Sequence, residues 1–152
     1  MKKILTALAL TTALVMPGTV MARNVTLTGI LKNYGGDGAY LAVYITNANG
    51  SYVGTLWLAG GKSKYYNSLS HWYRATGGAT SGVTAASVGS GRSFQITFDI
   101  ADALIDSGYQ IRIDASVENF RDAPSDIIIP LTSESFGTAN SGRRYIRSVF
   151  LQ

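Results

Sequence analysis

The stretch "GYQIRIDASVE", residues 108–118, constrains the fold more than any other part of the chain. Tyr109, Ile111, Ile113, Ala115 and Val117 alternate with Gln110, Arg112, Asp114, Ser116 and Glu118. A period of two puts successive side chains on opposite faces of a strand and is incompatible with an amphipathic helix. The pattern predicts one face in a core and the other in water. Similar short segments recur at "NVTLTGIL" (24–31), "AYLAVYITN" (39–47), "SYVGTLWLA" (51–59), "SFQITF" (93–98), "DIIIPL" (126–131) and "RYIRSVFLQ" (144–152). "NANG", 47–50, has the Asn and Gly that tolerate the positive φ of a tight hairpin turn. About seven short strands separated by Gly, Asn, Asp and Ser predict an all-β fold, an immunoglobulin-like antiparallel β-sandwich.

One segment departs from that period. In "SKYYNSLSHWYRA" the residues Tyr65, Leu69 and Trp72 fall at i, i+4 and i+7, so a short helix is expected near 63–75, with Ser63 as its N-cap. Its aromatic face should pack on the end of the sandwich. "DIADALIDSG", 99–108, reads as a second helical turn, capped by Asp99 and ended by Gly108.

The N-terminus bears on compartment. "MKKILTALALTTALVMPGTVMA" has two lysines, an apolar run from Ile4 to Met16, a break at Pro17-Gly18, and Val20-Met21-Ala22 before the expected cleavage point. These are the three parts of a secretory signal peptide, and the run is too short to span a bilayer. A leader over 1–22 would leave a single domain over 23–152, in the periplasm or outside the cell. The formal charge of +4 would fall to +2 with Lys2 and Lys3 gone, too little to favour nucleic acid. Arg143, Arg144 and Arg147 read as a solvated face. With no cysteine in the chain, disulfides, thiolate chemistry and Cys-based metal sites are excluded.

A single histidine, His71, excludes any two-His metal site and leaves a Ser-His-Asp hydrolase only through that residue. No Gly-x-Ser-x-Gly elbow accompanies it. Asp99, Asp102 and Asp106 lack the spacing of a calcium loop, so capping and solvation account for them better. Trp57, Trp72, Tyr65, Tyr66 and Tyr73 could stack a planar ligand, although rings in such a pattern more often fill a core.

The order of features from Tyr52 to Thr80 is distinctive: Tyr52-Val-x-Thr-Leu56, the turn Gly60 to Lys64, Leu69-x-x-Trp72, then Gly78-Ala79-Thr80. In this the chain resembles the secreted bacterial family catalogued as domain of unknown function 2271, over roughly residues 25 to 132. The resemblance implies a periplasmic β-sandwich often encoded near PepSY-type membrane proteins and flavin-transferring enzymes. It also implies a part in extracytoplasmic electron transfer or iron acquisition, with an envelope redox or membrane protein as partner.

Gly78-Ala79-Thr80 looks like the end of the motif Asp-x-x-Ser/Thr-Gly-Ala-Ser/Thr, to whose last hydroxyl FAD:protein FMN transferases attach FMN. Such a transfer needs an unobstructed hydroxyl on small-residue backbone. The resemblance makes Thr80 the attachment point, preceded by Gly78 and Ala79; Trp72, as an aromatic face, is the ring expected beside the flavin. Arg74 stands where the motif has Asp, and Gly77 where it has Ser or Thr. The expected function is a periplasmic binding or electron-transfer accessory that is not itself an enzyme. The alternative is a structural or adhesive subunit of the envelope or an extracellular assembly, for which a final strand reaching Gln152 would suit edge-to-edge pairing.

Overall fold

The computed structural model describes residues 21–80 and 84–152. The apolar run assigned to a leader, and Ser81, therefore lie outside the described residues. Nine strands and one α-helix are present among those described: β1 Ala22–Leu31, β2 Tyr40–Thr46, β3 Tyr52–Ala59, α1 Ser70–Thr76, β4 Thr84–Ala85, β5 Ser93–Ala101, β6 Gln110–Ser116, β7 Ala123–Pro130, β8 Ala139–Ser141 and β9 Ile146–Leu151. They form two sheets, one in the order β5-β1-β9-β8 and the other β4-β3-β2-β6-β7. The β-sandwich expected from the alternation is the fold. All pairings are antiparallel except β3 with the two-residue β4.

The core between the sheets is built from the alternating apolar residues. Val25 and Leu27 of β1, Ile96 and Phe98 of β5, Ile111 and Ile113 of β6, Ile127 and Ile129 of β7, and Val149 of β9 are all buried in it. The expected turn at 47–50 is present. Asn47 Oδ1 accepts from the amides of Asn49 and Ser51, and Gly50 takes a φ of 81°.

The two sheets differ in what covers their outer faces. In the β5-β1-β9-β8 sheet the polar residues Ser93, Gln95, Thr97 and Asp99 are exposed, as expected. In the other sheet the expectation of a wet outer face fails, because Asp114 and Ser116 of β6 are buried and β2 is buried along almost its whole length. A helical layer lies on that face. Tyr66, Leu69 and Trp72 pack there against Ala42, Tyr44 and Leu58 in a second apolar cluster. The aromatic segment thus lies over the flat of a sheet and not at the end of the sandwich.

That segment is also not one helix. A 3-10 helix, Ser63–Ser68, is followed by α1, with Leu69 between them at φ −87° and ψ 72°. The break shifts the helical phase, so Tyr66 is buried in place of Tyr65. Ser63 begins the 3-10 helix and caps nothing; Lys62 stands before it. Asp99 belongs to β5, where it accepts a hydrogen bond from Asn24 Nδ2 at 3.0 Å, and a short 3-10 turn, Asp102–Leu104, begins only after it.

Two irregularities rearrange the inward and outward residues. Val43 pairs with Trp57 while Tyr44 pairs with Thr55, so Leu56 is an extra residue and both Leu56 and Trp57 enter the main core. On β7, Ile127 pairs with Ile113 and Ala123 with Ala115, which makes Pro124-Ser125-Asp126 bulge opposite Asp114. Such a bulge kinks the strand and re-aims its side chains. Here it turns Asp126 inward: Oδ1 accepts from the amides of Arg143 and Arg144, and Oδ2 from those of Tyr145 and Ile146 at 2.9 and 2.8 Å. One carboxylate thereby ties the β7 edge of one sheet to the start of β9 in the other.

The alternation makes a direct prediction. Ile113→Ala should cost about 2–4 kcal/mol through the cavity it leaves, and Thr97→Ala on the wet face should stay within about 0.5 kcal/mol. Urea denaturation of both variants checks it, and equal small losses would mean that the buried face has been wrongly assigned.

Candidate functional site

The candidate site is α1 with the loop that leaves it, and its foundation is Asp114. This carboxylate is fully buried on the outer face of β6. Oδ1 accepts from the Tyr44 hydroxyl at 2.9 Å and from the Ser125 amide at 2.7 Å, while Oδ2 accepts from the Trp72 amide at 2.8 Å. The Trp72 amide belongs to the first turn of α1, where backbone donors have no partner within the helix. The residue before the helix, Leu69, supplies no side-chain cap. Asp114 therefore caps α1 from the sheet beneath it.

Trp72 is held at a second point. Its indole Nε1–H donates to Thr55 Oγ1 at 2.9 Å, and the Tyr52 hydroxyl lies 2.6 Å from the same oxygen. The edge of the Trp72 ring meets Tyr66 at 5.9 Å between centroids. This corrects the expectation that Trp72 lies beside a bound flavin. Its ring is completely buried and offers no open face. Trp57, in turn, stacks on Phe94 in the main core, on the other side of the sheet. The two tryptophans share no ligand surface.

The far end of α1 leads to Thr80. Gly77 takes the left-handed conformation at φ 67°, and its amide donates to the Tyr73 carbonyl at 2.7 Å. A Ser or Thr would be strained there, so the helix cap accounts for glycine at this position of the motif. The Thr76 hydroxyl donates to the Trp72 carbonyl at 2.9 Å and accepts from the Gly78 amide at 3.1 Å. Gly78 is also left-handed, and a Cβ on it would stand 2.7 Å from the Tyr73 ring. Tyr73 consequently lies along the loop, and it is the exposed ring of this segment. Ala79 and Thr80 follow, both exposed.

Beside α1, Arg74, His71 and Arg112 line a shallow depression of about 260 Å³ together with Tyr44 and Thr46. Arg112 is held in place by Nε–H to Thr46 Oγ1 and by Nη2 to Gln110 Oε1. Arg74, which stands where the motif has Asp, thus joins a basic wall. The arrangement suits an anionic group.

His71 and a serine do come together, but not as a hydrolase. Ser125 Oγ lies 3.0 Å from His71 Nδ1, while Asp114 bonds the Ser125 amide and not the imidazole. The acid touches the wrong member, and Ser125 is only 6% exposed at a φ of 47°. No group of three His, Asp or Glu among the described residues is placed to hold a metal ion. Asp102 faces Arg23 at 3.6 Å, and Asp106 accepts from the amide and hydroxyl of Ser133, which hold its carboxyl below the usual range.

Asp114, Tyr44 and Ser125 escaped the sequence reading, since a strand pattern alone assigns Asp114 to water. The signal that could have located them is Pro124, because a proline inside a strand pattern marks an edge or a bulge.

Two outcomes follow. Asp114→Asn should cost about 2–4 kcal/mol, because the amide must turn a donor toward one of three buried donors; Asp99→Asn, exposed, should cost little by comparison. Denaturation followed by the fluorescence of Trp72 and Trp57 compares them. The second outcome concerns pH. Burial, with Asp114 alongside, raises the Tyr44 phenol far above its ordinary value, and burial also raises Tyr34, Tyr66 and Tyr145. A phenol raised in the folded state contributes stability that is complete below about pH 10 and is lost as pH climbs beyond it. Unfolding free energy should therefore begin to fall above about pH 10, less steeply in Tyr44→Phe.

The sequence profile of the family described as "Predicted periplasmic protein (DUF2271)" matches residues 22–148. No curated protein and no solved structure matches the chain. Among the described residues no helix is long and apolar enough to cross a membrane. The matched span takes in every strand from β1 through β8, the first half of β9, and the whole of α1 with its loop, and the chain belongs to this family of predicted periplasmic proteins.

Proposed function

We propose that the protein is a non-enzymatic accessory of the periplasm that carries a redox group at the open end of α1, as FMN esterified to Thr80. The observation that carries this reading is the exposure of Thr80 just past a helix anchored at its other end by Asp114. Gly78 and Ala79 leave its hydroxyl open to approach. Tyr73 offers a ring beside the loop, and Arg74 with Arg112 offers cations to a phosphodiester. In the transfer the Thr80 oxygen bonds to the FMN phosphorus of FAD. The pyrophosphate bond breaks, AMP leaves, and the hydroxyl proton passes to a base of the transferase. An envelope redox or membrane protein would exchange electrons with the attached flavin. A structural or adhesive subunit is less well supported, because β9 lies between β1 and β8 and presents no free edge along its paired length.

Co-expression with a FAD:protein FMN transferase, followed by intact-mass measurement, tests the proposal. The wild type should gain one FMN less a water, and Thr80→Ala should gain nothing. An unmodified wild type would mean that Arg74 and Gly77 have abolished the acceptor motif. An adduct surviving in Thr80→Ala would put the flavin on another residue.

A further inference from the structure

A second concavity lies on the same helical side of the molecule, with a chemistry opposite to that of the basic depression beside α1. It is a cleft of about 320 Å³ between the Ser63–Ser68 3-10 helix and the turn that follows β6. Its charged residues are Asp37, Glu118 and Asp122 against Lys62, and its rings are Tyr40, Tyr65 and Phe120. In a chain whose formal charge is positive, this is a local excess of two negative charges.

Lys62 offsets only one of the three carboxylates. The one ion pair among the described residues joins Arg23 and Asp102, away from the cleft, so none of the three carboxylates has a cation within ion-pair distance. Burial raises the Asp122 carboxyl above its ordinary value, which fits a carboxylate partly withdrawn from water without a counter-ion. The cleft lining also includes Ser116, whose side chain is only 7% exposed. Its hydroxyl bonds to no other described residue. A buried hydroxyl without a partner is costly unless something else supplies one.

The aromatic wall narrows the choice of ligand. Phe120 is 44% exposed although it is a large apolar ring. The turn holds it out, with Asn119 at φ 66° and the Phe120 amide bonded to the Val117 carbonyl. Tyr40 meets Tyr65 edge to face at 6.0 Å, and the chain's own Lys64 ammonium sits 5.1 Å from the centre of the Tyr65 ring. Ring faces cover the hydrocarbon of an organic cation and also tolerate its ammonium group, while carboxylates pair with the charge. A metal ion would need oxygen ligands converging on one point, and no such group of three exists among the described residues. Carboxylates spread along an aromatic-lined cleft suit a cation that is itself extended.

We propose that this cleft binds an aliphatic diammonium ion, with its hydrocarbon chain against Phe120 and Tyr65 and its ammonium groups among Asp37, Glu118 and Asp122. Ser116 accepts one N–H. The volume is that of a small-ligand site. The site stands apart from Thr80 and does not depend on any modification there.

The test is a titration of the 15N-labelled protein with cadaverine, followed by amide shifts. Shifts at Glu118 to Asp122 and at Lys62 to Tyr65 should saturate, while 1,5-pentanediol, of the same length without charge, should move nothing. Glu118→Gln/Asp122→Asn and Phe120→Ala change exposed side chains and should each weaken cadaverine binding by about tenfold or more. Circular dichroism of the variants confirms their fold. No shift up to about 20 mM, well above a millimolar dissociation constant, would overturn the proposal. So would equal shifts with pentanediol, unchanged binding in the carboxylate variant, or competition by Ca²⁺ at equimolar concentration.

Discussion

A single buried carboxylate decides how the helical layer sits on the sandwich. Asp114 takes one donor from each of three elements: Tyr44 of β2, Ser125 of β7 and Trp72 of α1. Without it, the first turn of a seven-residue helix would bury an unpartnered amide, and the helix is too short to be stable by itself. The apolar contacts of Leu69 and Trp72 with Ala42 and Leu58 supply attraction, but apolar attraction is non-directional. The carboxylate supplies the direction. It fixes which turn of α1 lies over β6, and so where Gly77 ends the helix and where Thr80 emerges.

Asp126 does the corresponding work between the sheets. The same three-residue bulge that brings the Ser125 amide to Asp114 turns Asp126 toward the amides of residues 143–146. Two acidic residues on either side of one irregularity thus hold the third layer to the second and the second to the first. Extended backbone within regular strands has its donors matched by neighbours. Both carboxylates serve amides at the start of a helix or strand, and the Arg143 amide bonds the Asp126 carbonyl as well.

Most strands were legible because each buries one face in a core made by residues of the same period. Val25 and Leu27, and Ile111 and Ile113, needed no knowledge of their neighbours. The outer face of β6 was not legible, because its cover comes from a segment some 40 residues earlier in the chain, and nothing local distinguishes Asp114 from Arg112. Leu56 and Trp57 were unreadable for a related reason: the extra residue opposite Val43 and Tyr44 breaks the parity on which the reading depends. The aromatic segment announced a helix by its spacing, but the break at Leu69 is set by packing on the sheet. At the candidate site the exposed Gly-Ala-Thr was visible in sequence. The burial of Trp72 was not, since a tryptophan beside such a loop reads equally well as ligand platform or as core.

The pairing of β1 with β9 carries a consequence for the life of the chain before it folds. These are the first and last strands among the described residues, and β9 is inserted between β1 and β8. The sheet that contains β1 cannot be completed, nor the Asp126 tie made, until residues close to the C-terminus are available. A contact spanning almost the entire chain forms slowly relative to local ones. A polypeptide that becomes available from its N-terminus onward holds β1 without one of its two neighbours until β9 has emerged. The other sheet, β4-β3-β2-β6-β7, needs neither β1 nor β9, so the two halves of the sandwich differ in when their strands become available.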